Sequence, residues 1–226
     1  MSSWDRTKDR RYDETYKHVW YANTTKIPCI KIGDTALYIP GPGLDKDGVD
    51  QDGYWTAERK ASKIYQIYTT DDYTNRTFPS LNKWIDNTRP NRQHTQGQRD
   101  FVVMRLADAY LIRAEARLKQ GNKAGAATDI NKVRTRAAWE GKEDEMQITA
   151  DVIDLDFILE ERARELAGEG MRWYDLTRTG KLIELANKYN PEAKGNIKSH
   201  HVVRPIPLEQ IDRTQGGYPQ NPGYPQ

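Results

Sequence analysis

The sequence predicts a mainly α-helical protein: a helical hairpin scaffold, further helices behind it, and loop-rich, short-stranded irregular segments around them. Three observations carry that prediction. Val103, Leu106, Ala107, Tyr110, Leu111, Ala114 and Leu118 keep helical spacing, and Ala126, Ile130, Val133 and Ala137 keep it again after a Gly121-Asn122 stop. The third is the stretch from Asp154 to Arg178, DLDFILEERARELAGEGMRWYDLTR. At about 100° per residue, Leu155, Leu159, Ala163, Leu166, Gly170 and Trp173 share one sector. Glu161, Glu165, Glu169, Arg162 and Arg172 crowd the sector beside it. An ordinary amphipathic helix keeps its charges opposite the apolar stripe. Like charges at i, i+4 also cost an isolated helix a few tenths of a kcal/mol per pair. Either arginines from packed neighbours neutralise the acids, or the acids form a site.

The elements are expected in one domain, 1–226, with four parts. Residues 4–100 are irregular and loop-rich. YDETYKHVWYA alternates loosely, KIPCIKI and GDTALYIP read as short extended runs, and GPGLDKDGVDQDG (41–53) is loop by composition. Residues 54–82 mix aromatics with basic residues, and IDNTRPNRQHTQGQRD is a further polar loop. Residues 101–138 form an antiparallel αα-hairpin, because so short a connection allows no other packing. Its small-residue pattern is similar to a single tetratricopeptide repeat, and with no second copy its partner surface must come from elsewhere. Residues 139–149 are a polar linker. Helices follow over 150–190, broken near Gly168 and Gly170 and interrupted at Gly180. Residues 191–226 are an extended, proline-punctuated tail that Val202, Val203, Ile206 and Ile211 would tie down.

The totals exclude several classes. Mean hydropathy is −0.93, yet six Trp and thirteen Tyr argue against a disordered chain. A net charge of +2 without a Lys/Arg run offers no nucleic-acid footprint. Cys29 is the single cysteine, so no intrachain disulfide forms, and its apolar surroundings mark an inert thiol. No stretch approaches the ~18 apolar residues of a membrane span, and the polar start MSSWDRTKDRR has no signal-peptide h-region. That start fits a piece of a longer protein.

Candidate chemistry is sparse. Glu161 and Glu165 have the spacing for a general acid/base pair if burial raises one pKa. The opposing reading has Arg105, Arg113 and Arg117 of the hairpin, or Arg162 and Arg172, pairing with the acids structurally. Asp45, Asp47, Asp50 and Asp52 evoke a calcium loop, but Val49 occupies a ligand position and the glycine is displaced, so the segment reads as an acidic turn. His18, His94 and the His200-His201 pair lack a spaced partner set, and adjacent residues should point apart. No phosphate loop, nucleophile elbow or HExxH is present, so neither a catalytic set nor a metal or cofactor is expected. Trp20, Tyr21, Tyr38, Tyr54, Trp55, Tyr65, Tyr68 and Tyr73 gather in the irregular half among glycines, Asp and Asn. Aromatic faces flanked by amides and carboxylates suit sugar rings. Trp20, Tyr38, Tyr54, Trp55 and Tyr73 are the ligand candidates, set against ordinary core packing.

Three ordered segments carry a family resemblance. RLADAYLIRAEA matches an R-L-A-[DE]-x-Y-L-x-x-A-E-A helix. Glu161, Arg162, Glu165, Leu166, Glu169, Gly170, Arg172, Asp175, Leu176 and Arg178 match E-R-x-x-E-L-x-x-E-G-x-R-x-x-D-L-x-R. The tail matches P-I-P-x-x-E-I, with Gln210 where glutamate is common, and ends in Q-N-P-G-Y. With FPSLNKWIDNTRP and GDTALYIP, most of residues 30–226 resembles the C-terminal portion of SusD/RagB-family proteins. The resemblance implies an outer-membrane, cell-surface lipoprotein that binds an oligosaccharide or other nutrient for a TonB-dependent SusC-like transporter. It implies tetratricopeptide-like helix pairs as scaffold and a loop-rich ligand face, with a lipid anchor that this sequence lacks. The matched motifs are architectural, so Glu161, Arg162, Glu165, Glu169 and Arg172 read as a structural ionic seam. The leading expectation is a non-enzymatic binder. Its rivals are a helical-repeat scaffold for protein partners and a glycan hydrolase using Glu161 and Glu165.

Overall fold

A computed structural model describes residues 4–24, 26, 31–39, 41, 66–68, 70–74, 76–91 and 93–225. It is mainly helical and divides into two compact units, Ser2–Gly168 and Glu169–Gln226. In the first unit, α1 (Arg11–Thr15) is followed by β1 (Tyr16–Lys17), β2 (Val19–Tyr21), β3 (Thr35–Tyr38), β4 (Gln66–Ile67) and β5 (Ser80–Leu81). Then come α2 (Leu106–Lys119), α3 (Lys123–Ala137) and α4 (Leu155–Glu165). β1 pairs antiparallel with β5, while β3 lies between antiparallel β2 and parallel β4. The short helix α1 is an addition to the strand-like reading of this region.

α2 and α3 form the expected hairpin, and small side chains explain their tight packing. Ala107, Leu111 and Ala114 of α2 bury against Ala126, Ala127, Ile130 and Val133 of α3, joined by Ile153 and by Ile158 of α4. The turn uses Asn122 as N-cap, its side chain accepting the Gly125 N–H at 2.8 Å. The start of α2 differs from the sequence expectation. Phe101, Val102, Val103 and Met104 are not helical and are exposed, and so is Leu106. Leu106 precedes Ala107 by one residue, a step of about 100° that carries it off the stripe facing α3. Arg105, in extended backbone, turns its guanidinium to Glu165 instead of continuing the helix.

The linker 139–149 is more tightly held than its polar composition suggests. Met146, in a 3-10 turn, is buried, and Ile153 just beyond it is fully enclosed. The Asn131 amide takes both hydrogen bonds of the Ile148 backbone, each 2.9 Å, so the loop's polar groups are satisfied by α3 side chains. Asp154 then caps α4 through the Phe157 N–H at 2.7 Å. The helix stops at Glu165, slightly ahead of the expected break. Gly168 follows at φ +78°, and a Cβ there would lie 2.4 Å from the Leu81 side chain. Its carbonyl accepts the Trp84 indole N–H at 2.9 Å.

The second unit holds α5 (Arg172–Arg178), α6 (Leu182–Tyr189), a 3-10 turn Ser199–Val202 and α7 (Leu208–Arg213). The Gly180 interruption between α5 and α6 agrees with the sequence; α7, inside the tail, was not legible there. The tail is tied down largely by its own polar side chains. Gln220 accepts from the Ile206 N–H and donates to the Ile206 carbonyl, both at 2.7 Å. Asn221 donates to the Arg204 carbonyl at 2.8 Å and the Tyr224 hydroxyl to the Val203 carbonyl at 2.7 Å. These side chains do for residues 203–206 what a neighbouring strand would do in a sheet. Gly223, at φ +92°, passes so close to His200 that a Cβ would sit 2.5 Å from the imidazole. The Q-N-P-G-Y sequence is thus a clasp in which each of these four positions has a geometric duty.

The clasp predicts that Gln220→Ala strips the Ile206 backbone of both partners. Amide exchange at Ile206 should rise at least roughly tenfold, a loss of about 1–2 kcal/mol of local protection. Protection of the α2–α3 hairpin should be unchanged. Equal exchange at Ile206 in the two proteins would refute the clasp.

Candidate functional site

The acids of α4 meet a set of arginines drawn from four parts of the first unit. The Arg11 guanidinium holds Asp9 through Nε at 2.9 Å and Nη2 at 2.6 Å, and its Nη1 reaches Glu161 at 2.7 Å and Glu165 at 3.2 Å. Arg134 of α3 and Arg164 of α4 each donate to the second Glu161 oxygen at 2.8 Å. Arg105 and Arg136 both bond to Glu165. The Glu165 carbonyl, at the negative end of α4, also accepts from Lys83 at 2.9 Å and from Arg105. Arg162 crosses to Asp108 of α2 at 2.7 Å. Glu161, Arg162 and Glu165 are all buried, whereas Leu155 and Ala163 of the apolar stripe are only half-buried. α4 therefore buries these charged side chains as deeply as Ile158 and Leu159 beside them.

Electrostatics follow from this geometry. Burial alone would raise the Glu161 pKa, but Arg11, Arg164 and Arg134 overcome it and hold the carboxyl down at about 2. Burial would likewise lower Arg11, yet Asp9 and Glu161 keep it above its ordinary value. Such a carboxylate has no proton to donate near neutrality and is a feeble base, so the spacing that suggested acid/base chemistry does not deliver the pKa it needs. The pairings differ in part from those expected. Arg105 does bind Glu165, but Arg113 and Arg117 turn to Asp129 of α3, at 2.7 and 2.9 Å. Arg11, Arg134, Arg136 and Arg164 were missed. Glu169 and Arg172 lie beyond the end of α4, in the second unit, and are not part of that helix face.

The aromatic candidates separate. Trp20 pairs with Leu37 across β2 and β3, and Val19 pairs with Tyr38. Successive residues alternate faces, so Trp20 and Tyr38 lie on opposite sides of the sheet and cannot line one platform. The half-buried Trp20 ring has Lys17 Nζ 5.7 Å from its centroid. Tyr38, only 8% exposed, joins a cluster of packed rings. Trp4 meets Tyr12 edge-on at 5.5 Å and Tyr16 at 6.0 Å; Tyr12 and Tyr16 are 5.2 Å apart; His18 lies 6.5 Å from Tyr12 and 6.1 Å from Tyr38. The Arg6 guanidinium sits 4.9 Å over the Tyr12 ring, anchored by Asp13. Half-buried Tyr73, just past a 3-10 turn at Thr70–Asp72, adjoins the Tyr12 hydroxyl. Burial, reinforced by Tyr73, pushes Tyr12 well above the usual phenol range; burial also raises Tyr16 and Tyr73. Trp4, Tyr12 and Tyr16 were not among the sequence candidates.

Tyr54, Trp55, Tyr65, Cys29 and the acidic loop 45–52 lie outside the described residues. His200 and His201 do not point apart as adjacent residues in a strand would. The 3-10 turn brings their rings to 4.2 Å, and His200 lies 4.9 Å from Tyr224. No described helix is long and apolar enough to cross a membrane.

Comparison with known proteins places these features in a wider group. The family model described as the SusD family matches residues 1–224. The chain is 34% identical over 178 residues to a SusD-like protein of Formosa agariphila, an overlap of 71% of this chain and 32% of that protein. It is 33% identical over 154 residues to the starch-binding protein SusD of Bacteroides thetaiotaomicron, covering 64% of this chain and 26% of that one. A second Formosa agariphila SusD-like protein is 26% identical over 180 residues, 75% of this chain and 35% of that protein. The chain thus spans about a quarter to a third of the length of these curated relatives.

The charged face of α4 makes two predictions. Glu161→Ala, which leaves Arg11 buried without its deepest partner, should cost about 3–5 kcal/mol in denaturant unfolding. The second is a pH dependence. Glu161 titrates at about 2 in the fold against an ordinary 4.5, so its contribution is complete above about 4.5 and disappears as pH falls through 2. Asp86, held at about 2 chiefly by the Thr88 hydroxyl and also by the Gln98 N–H, titrates in the same window, so only the comparison with Glu161→Gln isolates the group. The stability gap between wild type and Glu161→Gln should shrink as pH falls from 4.5 to 2. A constant gap would contradict it.

Proposed function

The chain belongs to the SusD family, and we propose that it forms part of a cell-surface protein that binds a glycan or other nutrient. The proposed role is delivery of that nutrient to a TonB-dependent SusC-like transporter, from an outer membrane to which the whole protein is lipid-anchored. Family membership is the observation that carries this reading, and the starch-binding name of one relative points to glycans as the first ligand class to test. The chemistry of the irregular half supports it. Trp4, Tyr16, Trp20 and Tyr73 are half-buried, as rings that stack on the C–H face of a sugar must be, with Trp20 on the opposite side of its sheet from Tyr38. We keep Trp20, Tyr38, Tyr54, Trp55 and Tyr73 as ligand candidates, with Tyr38 the weakest because its ring is nearly enclosed.

The rivals fare unequally. A hydrolase built on Glu161 and Glu165 has little support, since both carboxylates are saturated by guanidiniums and Glu161 is held far below a catalytic pKa. A scaffold for protein partners draws support from one observation. The run Phe101–Met104 and Leu106 exposes five apolar side chains at the entrance to α2, as a hairpin that stacks on a neighbour would.

A glycan array followed by calorimetry on the full chain decides between binder and scaffold. The binder reading expects saturable binding of at least one oligosaccharide, weakened by Trp20→Ala, with no product released from it. Failure to bind any glycan, together with recovery of a transporter in a pull-down, would favour the scaffold.

A further inference from the structure

The Q-N-P-G-Y clasp closes on two imidazoles. His200 and His201, both half-buried, are brought together by the 3-10 turn Ser199–Val202, with ring centroids 4.2 Å apart. Tyr224 meets the His200 ring edge to face at 4.9 Å and lies 6.1 Å from the His201 ring. The Gly223 backbone passes so near His200 that no side chain would fit between them. The clasp segment therefore leans on these rings, while Asn221 and Tyr224 fasten it to the carbonyls of Arg204 and Val203.

The closed geometry favours uncharged rings. The Lys198 N–H, at the head of the turn, donates to His201 Nδ1 at 2.9 Å, so that nitrogen carries no proton while the turn is closed. A proton there puts two donors face to face and takes away the turn's cap. Burial, His201 and Lys198 all push His200 below its ordinary 6.5, and Tyr224 offers it a ring rather than a carboxylate. The other charged groups nearby are engaged elsewhere. Glu184 of α6, which packs beside the turn, pairs with Lys181 at 3.5 Å; Lys188 lies over the Tyr189 ring at 4.9 Å, and Arg204 over the Trp173 ring at 5.1 Å. We propose that the His200-His201 pair is an acid-sensitive latch: protonation of the two rings breaks the turn's cap, sets like charges against each other and frees the clasp. Linkage fixes the direction. A group whose ionisation is depressed in the closed form stabilises it fully above the ordinary 6.5, and that contribution is lost as pH falls through the lower closed-state value. The clasp is thus shut in neutral surroundings and opens on the acid side.

Amide exchange of the full chain, corrected for the intrinsic pH dependence of exchange, tests the latch. Between about pH 7.5 and about pH 5, protection at Ile206 should fall roughly fivefold or more, the scale of one lost hydrogen bond, with that of the α2–α3 hairpin unchanged. The double variant His200→Phe/His201→Asn keeps a ring against Tyr224 and an amide oxygen facing the Lys198 N–H, neither of which titrates. Its protection should stay level over the same range. Should that variant fail to close at all, ring titration by NMR decides in its place: Gln220→Ala, which opens the clasp and leaves both histidines intact, should move His200 up towards 6.5. Level protection in the wild type overturns the proposal, as does an equal fall in the double variant or a His200 that titrates identically in wild type and Gln220→Ala.

Discussion

The first unit depends on one electrostatic constraint: two glutamates a single turn apart on α4 are buried, and neither survives burial without arginines from elsewhere in the chain. Glu161 takes Arg11, Arg134 and Arg164; Glu165 takes Arg11, Arg105 and Arg136. Arg11 is the pivot, because it also grips Asp9 and so ties the N-terminal segment to α4 across some 150 residues of sequence. The backbone follows: the Arg10 N–H donates to the Ala137 carbonyl and the Trp139 N–H to the Lys8 carbonyl. A buried ion network of this kind is weak evidence for high stability, since apolar packing of the same volume often does as well. Its strength is in what it forbids. Any arrangement that separates α1, α2, α3 and α4 leaves a charge buried and alone.

The same constraint explains the division of labour. The apolar contacts that hold α2 against α3 are made by small residues and leave little room for a ligand, while the seam occupies the charged groups of α4. A buried donor without a hydrogen-bond partner among the described residues, Trp4 Nε1, lies elsewhere, in the aromatic cluster ahead of the hairpin.

Legibility in the sequence varied with the range of the interaction. The helices α2 and α3 could be read because their apolar period is local, and the break near Gly168 because glycine acts on its own backbone. The start of α2 was misplaced: Val103 and Leu106 continue the period, but only the position of Glu165 shows that Arg105 turns away from the helix. Arg11, Arg134, Arg136 and Arg164 were not legible as seam residues, since an arginine carries no mark of the carboxylate it will meet. Trp20 and Tyr38 looked alike as candidates until the β2–β3 register put them on opposite faces.

By itself the sequence determined the helical scaffold, the family motifs and the crowding of acids on one helix, all of which follow from residue type and short spacing along a single chain. Tertiary structure alone decided that those acids are buried, which cations neutralise them, and which aromatic rings share a cluster. The physical reason is that charge pairing and ring packing depend on distances between segments far apart in sequence. No local period encodes such distances; folding sets them by bringing Arg11 to Glu161 and Trp4, Tyr12 and Tyr73 to one place.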